Sequence, residues 1–495
     1  MTRAGSKRDR GLFRVKSVEQ SIRDTDDPDS KLRKDLTAWD LIVFGVAVVI
    51  GAGIFTLTAR TAGNVAGPSV SLAFVLAAIA CALAALCYAE FASTVPVAGS
   101  AYTYSFATFG EFVAWIIGWD LILEFALAAA VVGKGWSLYL GEVMGGLSSS
   151  VMVGPVKVDW GAVLIVVVIG VVIASGTKLS SRVSLVITSI KVGVVIFVVA
   201  LGAFYIKAEN YTPYIPPAEA AETDNGLHQS LFSFVTGAGG STFGWYGLLA
   251  AASLVFFAFI GLDVVATTAE ETRTPQKAVP IGILGSLAIV TVLYVAVSLV
   301  LTGMVNYQEL EGDESTLATA FAINGMDWAK NLISIGALAG LTTVVMVLML
   351  GQTRVLFAMA RDGLMPRRLA HTGKRGTPVR TTVVTVVVAV LAGLVPLGTL
   401  EGMVNIGTLF AFVLVSIGVL VLRRTRGDLE RGFRVPLVPY VPILAVLACL
   451  WLMVNLSVET WIRFVVWMAI GVVIYFVYSR RHSVLAGTAD PDPPV

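Results

Sequence analysis

Long runs of apolar residues, separated by short polar segments, form the main pattern along the chain. A helix rises about 1.5 Å per residue, so roughly 20 apolar residues cross a hydrocarbon layer about 30 Å thick. The pattern therefore predicts an all-α membrane protein with twelve transmembrane helices. These spans, numbered one to twelve, are 38–63, 68–93, 111–141, 160–176, 180–206, 246–271, 278–304, 328–361, 380–397, 401–422, 440–457 and 460–479.

The composition agrees with a chain that lies in lipid. Of its 495 residues, 56% are hydrophobic and 14% are charged, whereas soluble domains carry about 45–50% apolar and about 25% charged residues. The net charge of +2 gives no field that would attract nucleic acid, so no nucleic-acid partner is expected. All three cysteines fall inside spans and all three histidines outside them. Neither a disulfide framework nor a histidine-based metal site is therefore expected.

The distribution of Lys and Arg predicts how the chain is oriented. If the N-terminus is cytoplasmic, 28 of these 35 residues lie on the cytoplasmic side, five lie outside and two lie within spans. Cytoplasmic loops of membrane proteins carry such an excess of positive charge. We therefore expect a multi-pass protein of the plasma membrane with both termini cytoplasmic. A cleaved signal peptide is not expected, because no small-residue cleavage site follows span one.

The spans divide the chain into seven parts. These are a cytoplasmic N-terminal segment (1–37), a first repeat of spans one to five (38–206), an extracellular loop (207–245), a second repeat of spans six to ten (246–422), a cytoplasmic loop (423–439), spans eleven and twelve (440–479) and a cytoplasmic tail of disordered composition (480–495). The Gly-rich stretch Thr236–Ser241 lacks the Gly-Lys-Ser/Thr of a phosphate-binding loop, so we interpret it as a flexible lid.

Glycines interrupt spans one and six. Span one runs from Val46–Ile50 into Gly51-Ala-Gly53, and span six runs from Val255–Ile260 into Gly261. Glycine inside a helix costs about 1 kcal/mol relative to alanine, and the backbone groups that a break frees need partners in lipid. Breaks five spans apart are what an inverted repeat of five plus five helices gives, with its site near the bilayer midplane. Close helix packing through glycine is the alternative interpretation.

The two breaks offer main-chain groups that suit a zwitterion. The half-helix that resumes at Ile54 presents N–H groups at the positive end of a dipole, which favours a carboxylate. The half-helices that end near Ile50 and Phe259 present carbonyl groups, which favour an ammonium. An L-α-amino acid is therefore the expected substrate. Asp263 is expected to cap the second half of span six rather than to contact the substrate.

Several motifs are similar to those of one transporter family. They are Leu36-Thr-Ala-Trp-Asp40, Ile50-Gly-Ala-Gly-Ile-Phe55, Phe256-Phe-Ala-Phe-Ile-Gly261, Glu270-Glu271, Thr274-Pro-Gln-Lys-Ala-Val-Pro-Ile281, Arg361-Asp-Gly-Leu-Met-Pro366 and Phe433-Arg-Val-Pro-Leu-Val-Pro439. With them the chain resembles the amino acid–polyamine–organocation (APC) superfamily from about residue 30 to 480. Within that superfamily it resembles the cationic amino acid transporters and their bacterial relatives. The resemblance implies a LeuT-like fold with broken helices 1 and 6, and transport rather than catalysis.

The resemblance and the breaks together give a set of expected substrate-binding residues. The set is Ile50, Gly51, Ala52, Gly53, Ile54, Glu124, Phe257, Ala258, Phe259, Ile260, Thr343 and Val347. Glu124 follows Asp120 by four residues on span three, so the two share a helix face. Glu124 lines the side-chain end of the pocket in one interpretation and is a hydrogen-bonded structural acid in the other. Phe259 is similar to the aromatic gate residue of the family.

Lys191 lies about eleven residues into span five, which is too deep for its ammonium to reach the surface. It is similar to the lysine that replaces sodium in proton-coupled members of the family. The resemblance makes Ala47, Thr342 and Thr343 its expected partners. Because burial disfavours the charged form of a lysine, we expect Lys191 to exchange a proton. Protonated, it would hold spans one and eight together; deprotonated, it would let the inner gate open. A fixed structural charge is the alternative.

The apolar Val347 favours a small neutral amino acid over a cationic one. Ion-independent exchange and uptake of arginine, lysine or ornithine are the alternatives. No catalytic residue, metal or cofactor is expected, and a proton gradient is the expected energy source. An enzyme would need a readable dyad or metal cluster, and a channel would need a repeated pore lining. Membrane lipids are the expected surroundings, while a small membrane subunit, a bound sterol and the oligomeric state are left open.

Overall fold

Helices make up most of the protein, whose computed structural model describes residues 14, 35–95, 100–146, 150–153, 156–176, 181–220, 226–237, 241–269, 272–312, 314–371 and 377–484. Most of the predicted N-terminal segment and of the predicted disordered tail lies outside these residues. The same is true of the Glu270-Glu271 motif and of the centre of the Gly-rich stretch predicted as a lid.

The described residues of the first half of the chain form seven helices and one hairpin. They are α1 (Ala38–Val49), α2 (the consecutive turns Gly53–Leu57, Thr58–Thr61 and Ala62–Ala66), α3 (Val70–Thr94), α4 (Ser100–Thr108), α5 (Glu111–Val143), the strands β1 (Ser150–Val153) and β2 (Val156–Asp159), α6 (Trp160–Ala174) and α7 (Ser181–Gly202). Short 3₁₀ turns at Gly67–Ser69, Ala203–Tyr205 and Ala208–Tyr211 connect or extend them.

The second half continues in the same way. It contains β3 (Glu219–Ala220), α8 (Leu231–Thr236), β4 (Ser241–Thr242), α9 (Gly244–Val255) with the 3₁₀ turn Phe256–Phe259, α10 (Leu262–Thr267), α11 (Pro275–Met304), α12 (Leu317–Ile323), α13 (Asp327–Arg361), α14 (Val379–Ala392), α15 (Leu397–Thr425), α16 (Tyr440–Val454) and α17 (Val458–Ile474) with the turns Tyr475–Ser479 and Arg480–His482. Further 3₁₀ turns lie at Tyr307–Leu310 and Arg367–Ala370.

Within the described residues, eight helical stretches are long and apolar enough to cross a membrane. Four further apolar helices are shorter: Ala38–Val49, Trp160–Ala174, Val379–Ala392 and Tyr440–Val454. The first of these is short because span one is interrupted, which divides it between α1 and α2. The structure therefore agrees with a helical, multi-pass protein.

Within the described residues, two short antiparallel strand pairs depart from the all-α prediction. β1 pairs with β2, and β3 pairs with β4 within the segment predicted as an extracellular loop. Strands β1 and β2 have only four residues each, so the sequence pattern did not distinguish them from the apolar spans on either side. The predicted loop also contains the short helix α8, so part of it has regular structure.

The break in the first helix follows from its local sequence. Thr37 and Asp40 form a capping box that starts α1, which satisfies N–H groups that have no partner within the helix. The helix ends at Val49, because Ile50 adopts an extended conformation with ψ of 95°. The chain then resumes as the π-helical turn Gly53–Leu57, and single π turns in helices are often found at functional sites.

The second break has a different backbone geometry. The 3₁₀ turn Phe256–Phe259 ends in an extended Ile260, and Gly261 has φ of +104°. This positive φ favours glycine, since a Cβ is rarely tolerated there. Helix α10 begins at Leu262 with Gly261 at its N-cap and no side-chain capping bond. Asp263 therefore lies in the first turn and is not the N-cap that the sequence predicted.

Long helices frame the two interrupted ones. α13 packs along α5, and α11 packs against α3 and α1. At the start of α1, Leu36 forms a parallel backbone bridge with Thr272, and the N–H of Arg273 donates to the Leu36 carbonyl at 3.0 Å. The ends of the two interrupted helices are thereby joined on one side of the molecule.

Candidate functional site

The two breaks meet in the interior of the protein. A Cβ built on Gly53 would lie 2.3 Å from the Cα of Ala258, so the two main chains are in direct contact. A Cβ on Gly261 would lie 2.6 Å from a methyl carbon of Val48. Glycine at both positions therefore allows the half-helices to approach each other. The structure brings together the residues that the sequence predicted from spans one and six.

Two carbonyl groups at the end of α1 already accept hydrogen bonds from other helices. The Nζ of Lys191 lies 2.6 Å from the Ala47 carbonyl oxygen. The hydroxyl oxygen of Tyr294 lies 2.6 Å from the carbonyl oxygen of Val49 and 3.0 Å from that of Ala258. The end of α1 is thus held by a lysine of α7 and by a tyrosine of α11.

The amide groups of the second half-helix differ in detail from the expectation. The N–H groups of Ile54 and Phe55 both donate to the Gly51 carbonyl, with N···O distances of 3.3 Å. Ile54 is therefore not the first free donor, as the sequence suggested. A helix leaves its earliest N–H groups without intrahelical partners, and these belong to Gly51, Ala52 and Gly53. Any anion site at this helix start lies among those three residues.

Lys191 is fully buried and packs against α13 through its aliphatic part. A Cβ on Gly340 would lie 2.9 Å from the Cγ of Lys191, so Gly340 makes room for the lysine chain. The Thr342 hydroxyl donates to the Leu338 carbonyl and accepts from the Trp136 indole at 3.1 Å. The Thr343 hydroxyl donates to the Gly340 carbonyl at 2.7 Å. Helix α13 therefore contacts Lys191 through Gly340, while both threonine hydroxyls bond to carbonyls of their own helix.

Three buried carboxyl groups lie near the site: Asp120, Glu124 and Asp263 are each at most 3% exposed. Among the described residues, none of their six carboxyl oxygens has a hydrogen-bond partner in normal geometry. Glu124 lies within electrostatic range of the other two carboxyl groups. Asp120 packs against Gly407 of α15, where a Cβ would lie 2.8 Å from its Oδ1. Glu124 of α5 therefore lies near Asp263 of α10, and its predicted role at the side-chain end of the pocket stays a prediction.

The wall that α13 contributes is apolar. Methyl groups of Val344 would lie 3.3 and 3.4 Å from a Cβ on Gly51. Val347, one turn further along, is half-buried, as is Thr343. Phe257 and Ile260 are 5% and 7% exposed, and Phe259 is 1% exposed. The remaining predicted residues at the breaks are buried as well.

A buried ion pair joins the second half-helix of span one to α15. Arg60 of α2 pairs with Glu401 of α15, and their side chains are 11% and 1% exposed. A Cβ on Gly63 would lie 2.2 Å from the Leu310 carbonyl oxygen, so a connecting turn covers the end of α2. Asn64 exchanges hydrogen bonds with the backbone of Gly312. These contacts hold α2 against α15 and the segment before α12.

Tyr294, Val344 and the Arg60–Glu401 pair were not among the predicted functional residues. A tyrosine inside an apolar span is a signal that could have drawn attention to Tyr294, since a buried hydroxyl needs a partner. Val344 lies one residue from the predicted Thr343, but an apolar residue within an apolar helix carries no comparable signal.

Comparisons with known proteins identify the family of the chain. The sequence profile of a family described as amino acid permease matches residues 36–480. The chain is 43% identical to the branched-chain amino acid permease BcaP of Bacillus subtilis (strain 168) over 487 residues, which cover 96% of this chain and 99% of the relative. It is 41% identical to the methylthioribose transporter of the same organism over 488 residues, with the same coverage.

A plant relative extends the comparison to the subfamily that the motifs resemble. The chain is 38% identical to cationic amino acid transporter 2, vacuolar, of Arabidopsis thaliana over 429 residues, which cover 85% of this chain and 64% of that protein. The profile match covers nearly the whole described chain, and the bacterial relatives match from end to end. The chain therefore belongs to the amino acid permease family of the APC superfamily, as a transporter of the bacterial type.

Proposed function

We propose that the protein imports an L-α-amino acid across the plasma membrane by alternating access. The observation that carries this proposal is the direct contact between the two helix breaks at Gly53 and Ala258. It supports twelve spans arranged as a LeuT-like inverted repeat, because the breaks fall in the first helix of each predicted repeat. The excess of Lys and Arg on one side supports cytoplasmic termini.

The protein binds the substrate through the carboxylate and the ammonium of the amino acid. Its carboxylate binds at the start of α2, where the first amides are those of Gly51, Ala52 and Gly53. Its ammonium binds to carbonyl oxygens near Ile50 and Phe259, where α1 and the turn after α9 end. Both ends of the zwitterion therefore bind beside the interior contact between the two interrupted helices.

Lys191 couples transport to the proton gradient. Protonated Lys191 donates to the Ala47 carbonyl of α1 while its aliphatic chain lies against Gly340 of α13, so the residue links the two helices. Loss of the proton removes charge from this donor and loosens α1. The binding of Lys191 to the broken end of α1, rather than to a carboxylate, supports a switching role over a fixed structural charge.

A neutral, aliphatic amino acid is the favoured substrate. Val344 and Val347 supply an apolar wall beside Gly51, and the similarity to branched-chain amino acid permeases points the same way. Uptake of cationic amino acids is less well supported, although the plant relatives named for it match much of the chain. Ion-independent exchange would not need a titrating group at position 191.

Methylthioribose transport is a second candidate function. The observation that favours it is the 41% identity to a methylthioribose transporter over 96% of the chain. Methylthioribose has neither an ammonium nor a carboxylate, so it would leave the main-chain groups at both breaks without charged partners. The amino acid proposal uses those groups and is therefore preferred.

Uptake by purified protein in liposomes tests both candidates. Radiolabelled leucine, alanine, arginine and methylthioribose are each supplied with and without an inward proton gradient. We expect leucine to accumulate above its external concentration only with the gradient. Accumulation of methylthioribose alone would overturn the amino acid proposal, and leucine exchange unaffected by the gradient would overturn proton coupling.

A further inference from the structure

Tyr294 of α11 reaches carbonyl oxygens at both helix breaks. Its hydroxyl lies 2.6 Å from the Val49 oxygen at the end of α1 and 3.0 Å from the Ala258 oxygen at the end of the first half of span six. A tyrosine hydroxyl has one hydrogen to donate, so the two carbonyls share a single donor. The two helix ends are thereby held at a fixed separation by one side chain.

The ring of Tyr294 is fixed in place by its surroundings. The side chain is fully buried. Its ring centroid lies 5.6 Å from that of Phe74 and 5.5 Å from that of Phe259. Helix α11, which carries it, packs along both α1 and α3. The hydroxyl therefore occupies a defined position rather than one of several rotamers.

We infer that Tyr294 is a positioning residue for the α-amino group of the substrate. This inference rests on the proposed function, in which carbonyls near these helix ends bind an ammonium. An ammonium has three N–H donors and binds well only where several oxygens converge at hydrogen-bonding distance. By holding Val49 and Ala258, Tyr294 sets the spacing of the neighbouring carbonyls on both chains. Its hydroxyl thus determines how strongly the site prefers an amino group over a weaker donor.

Tyr294→Phe tests the inference, because it keeps the ring and removes only the hydroxyl. Binding of leucine is compared with binding of its α-hydroxy acid analogue, 2-hydroxyisocaproate, which has a hydroxyl in place of the amino group. We expect affinity for leucine to fall about five- to tenfold, about the size of one hydrogen bond between neutral groups. Affinity for the hydroxy acid should change little, so the preference for the amino acid falls by the same factor.

Tyr475→Phe is the matched control. Tyr475 is also buried, at 1% exposure, and its hydroxyl donates at 3.1 Å to Glu111, the first residue of α5. Tyr475→Phe should leave the ratio of the affinities for leucine and 2-hydroxyisocaproate unchanged. This ratio is measured on one preparation and does not depend on the folded fraction. If Tyr294→Phe yields too little folded protein, Tyr294→His, which keeps a ring donor, should give an intermediate ratio.

Each result has a separate meaning. An unchanged ratio in Tyr294→Phe would show a purely structural role and overturn the inference. Tighter leucine binding would also overturn it, because the hydroxyl would then be competing with the ammonium. Failure of the unmodified protein to bind any amino acid would instead overturn the proposed function. That outcome is measured on the unmodified protein alone, so it is distinct from the result for Tyr294→Phe.

Discussion

Gly53 lies directly against Ala258, so the start of the second half-helix of span one touches the end of the first half of span six. The gap between the two main chains is too small for a methyl group, since a Cβ on Gly53 would fall 2.3 Å from the Cα of Ala258. The backbones of the two helix breaks therefore lie against each other at this point, with only the methyl group of Ala258 beside them. In the proposed function, this contact lies at the site that binds the main-chain atoms of the substrate.

Gly53→Ala should separate the two breaks and reduce amino acid uptake at least tenfold. Overpacking of a tight contact typically costs about 1–3 kcal/mol, and here the displaced atoms are backbone rather than a flexible side chain. Initial rates of leucine uptake in liposomes, together with thermal unfolding of the detergent-solubilised protein, measure the two effects.

Gly193→Ala provides the control for this substitution. Gly193 lies in α7, and a Cβ there would meet nothing within 4 Å. Its replacement should leave uptake unchanged, because alanine favours a helix more than glycine does. Normal uptake by Gly53→Ala would contradict the assignment of the Gly53–Ala258 contact to the substrate site.

Lys191→Met should abolish accumulation driven by a proton gradient while preserving exchange of leucine between equal pools. Methionine fills most of the space of the lysine chain but cannot donate to the Ala47 carbonyl or carry a proton. Comparison of gradient-driven uptake with counterflow on the same liposomes distinguishes lost coupling from lost binding.

Lys134→Met removes a comparable bond elsewhere. The Nζ of Lys134 donates to the Val395 carbonyl at 2.6 Å, and the residue is half-buried in α5. This variant should keep its dependence on the gradient. If Lys191→Met still accumulated leucine against a concentration difference, Lys191 would not be the coupling group.

Glu401→Gln should destabilise the protein strongly. It leaves Arg60, which is only 11% exposed, without the carboxylate that neutralises it. Removal of one partner of a buried ion pair costs about 3–5 kcal/mol. Thermal unfolding measures the loss, and the charge exchange of Arg60→Glu with Glu401→Arg should recover part of it.

Glu459→Gln is the corresponding change in a more exposed pair. Glu459 and Arg463 are 31% and 36% exposed, and such pairs contribute at most about 1 kcal/mol. Equal stabilities of the Glu401→Gln and Glu459→Gln proteins would show that burial of the Arg60–Glu401 pair has no energetic importance.

Glu124→Gln should discriminate between substrate classes. Glutamine keeps the size of the side chain and cannot attract a cation, so leucine affinity should stay within about threefold and arginine affinity, if present, should fall at least tenfold. Thermal shifts with a panel of amino acids report both. Asp120→Asn, one turn away on the same helix, should affect neither. A large loss of leucine binding in Glu124→Gln would indicate that the carboxyl itself contacts neutral substrates.

The sequence alone predicted the helical class and the position of both breaks, because Gly51, Gly53 and Gly261 interrupt apolar runs. It placed Asp263 incorrectly at an N-cap, since only the positive φ of Gly261 shows that this glycine occupies that position. It did not find Tyr294 or Arg60–Glu401, because each depends on contact between distant segments. The substrate-binding and proton-coupling roles of the chosen residues stay predictions.

The bridge between Leu36 and Thr272 has a mechanical consequence for the whole molecule. It ties the stretch that leads into α1 to the stretch that leaves α10, and the bond from the Arg273 N–H to the Leu36 carbonyl reinforces it. A tilt of either half-helix would therefore move the other half-helix with it. A passage on that face would then open through one coupled movement of α1 and α10 rather than through two independent movements.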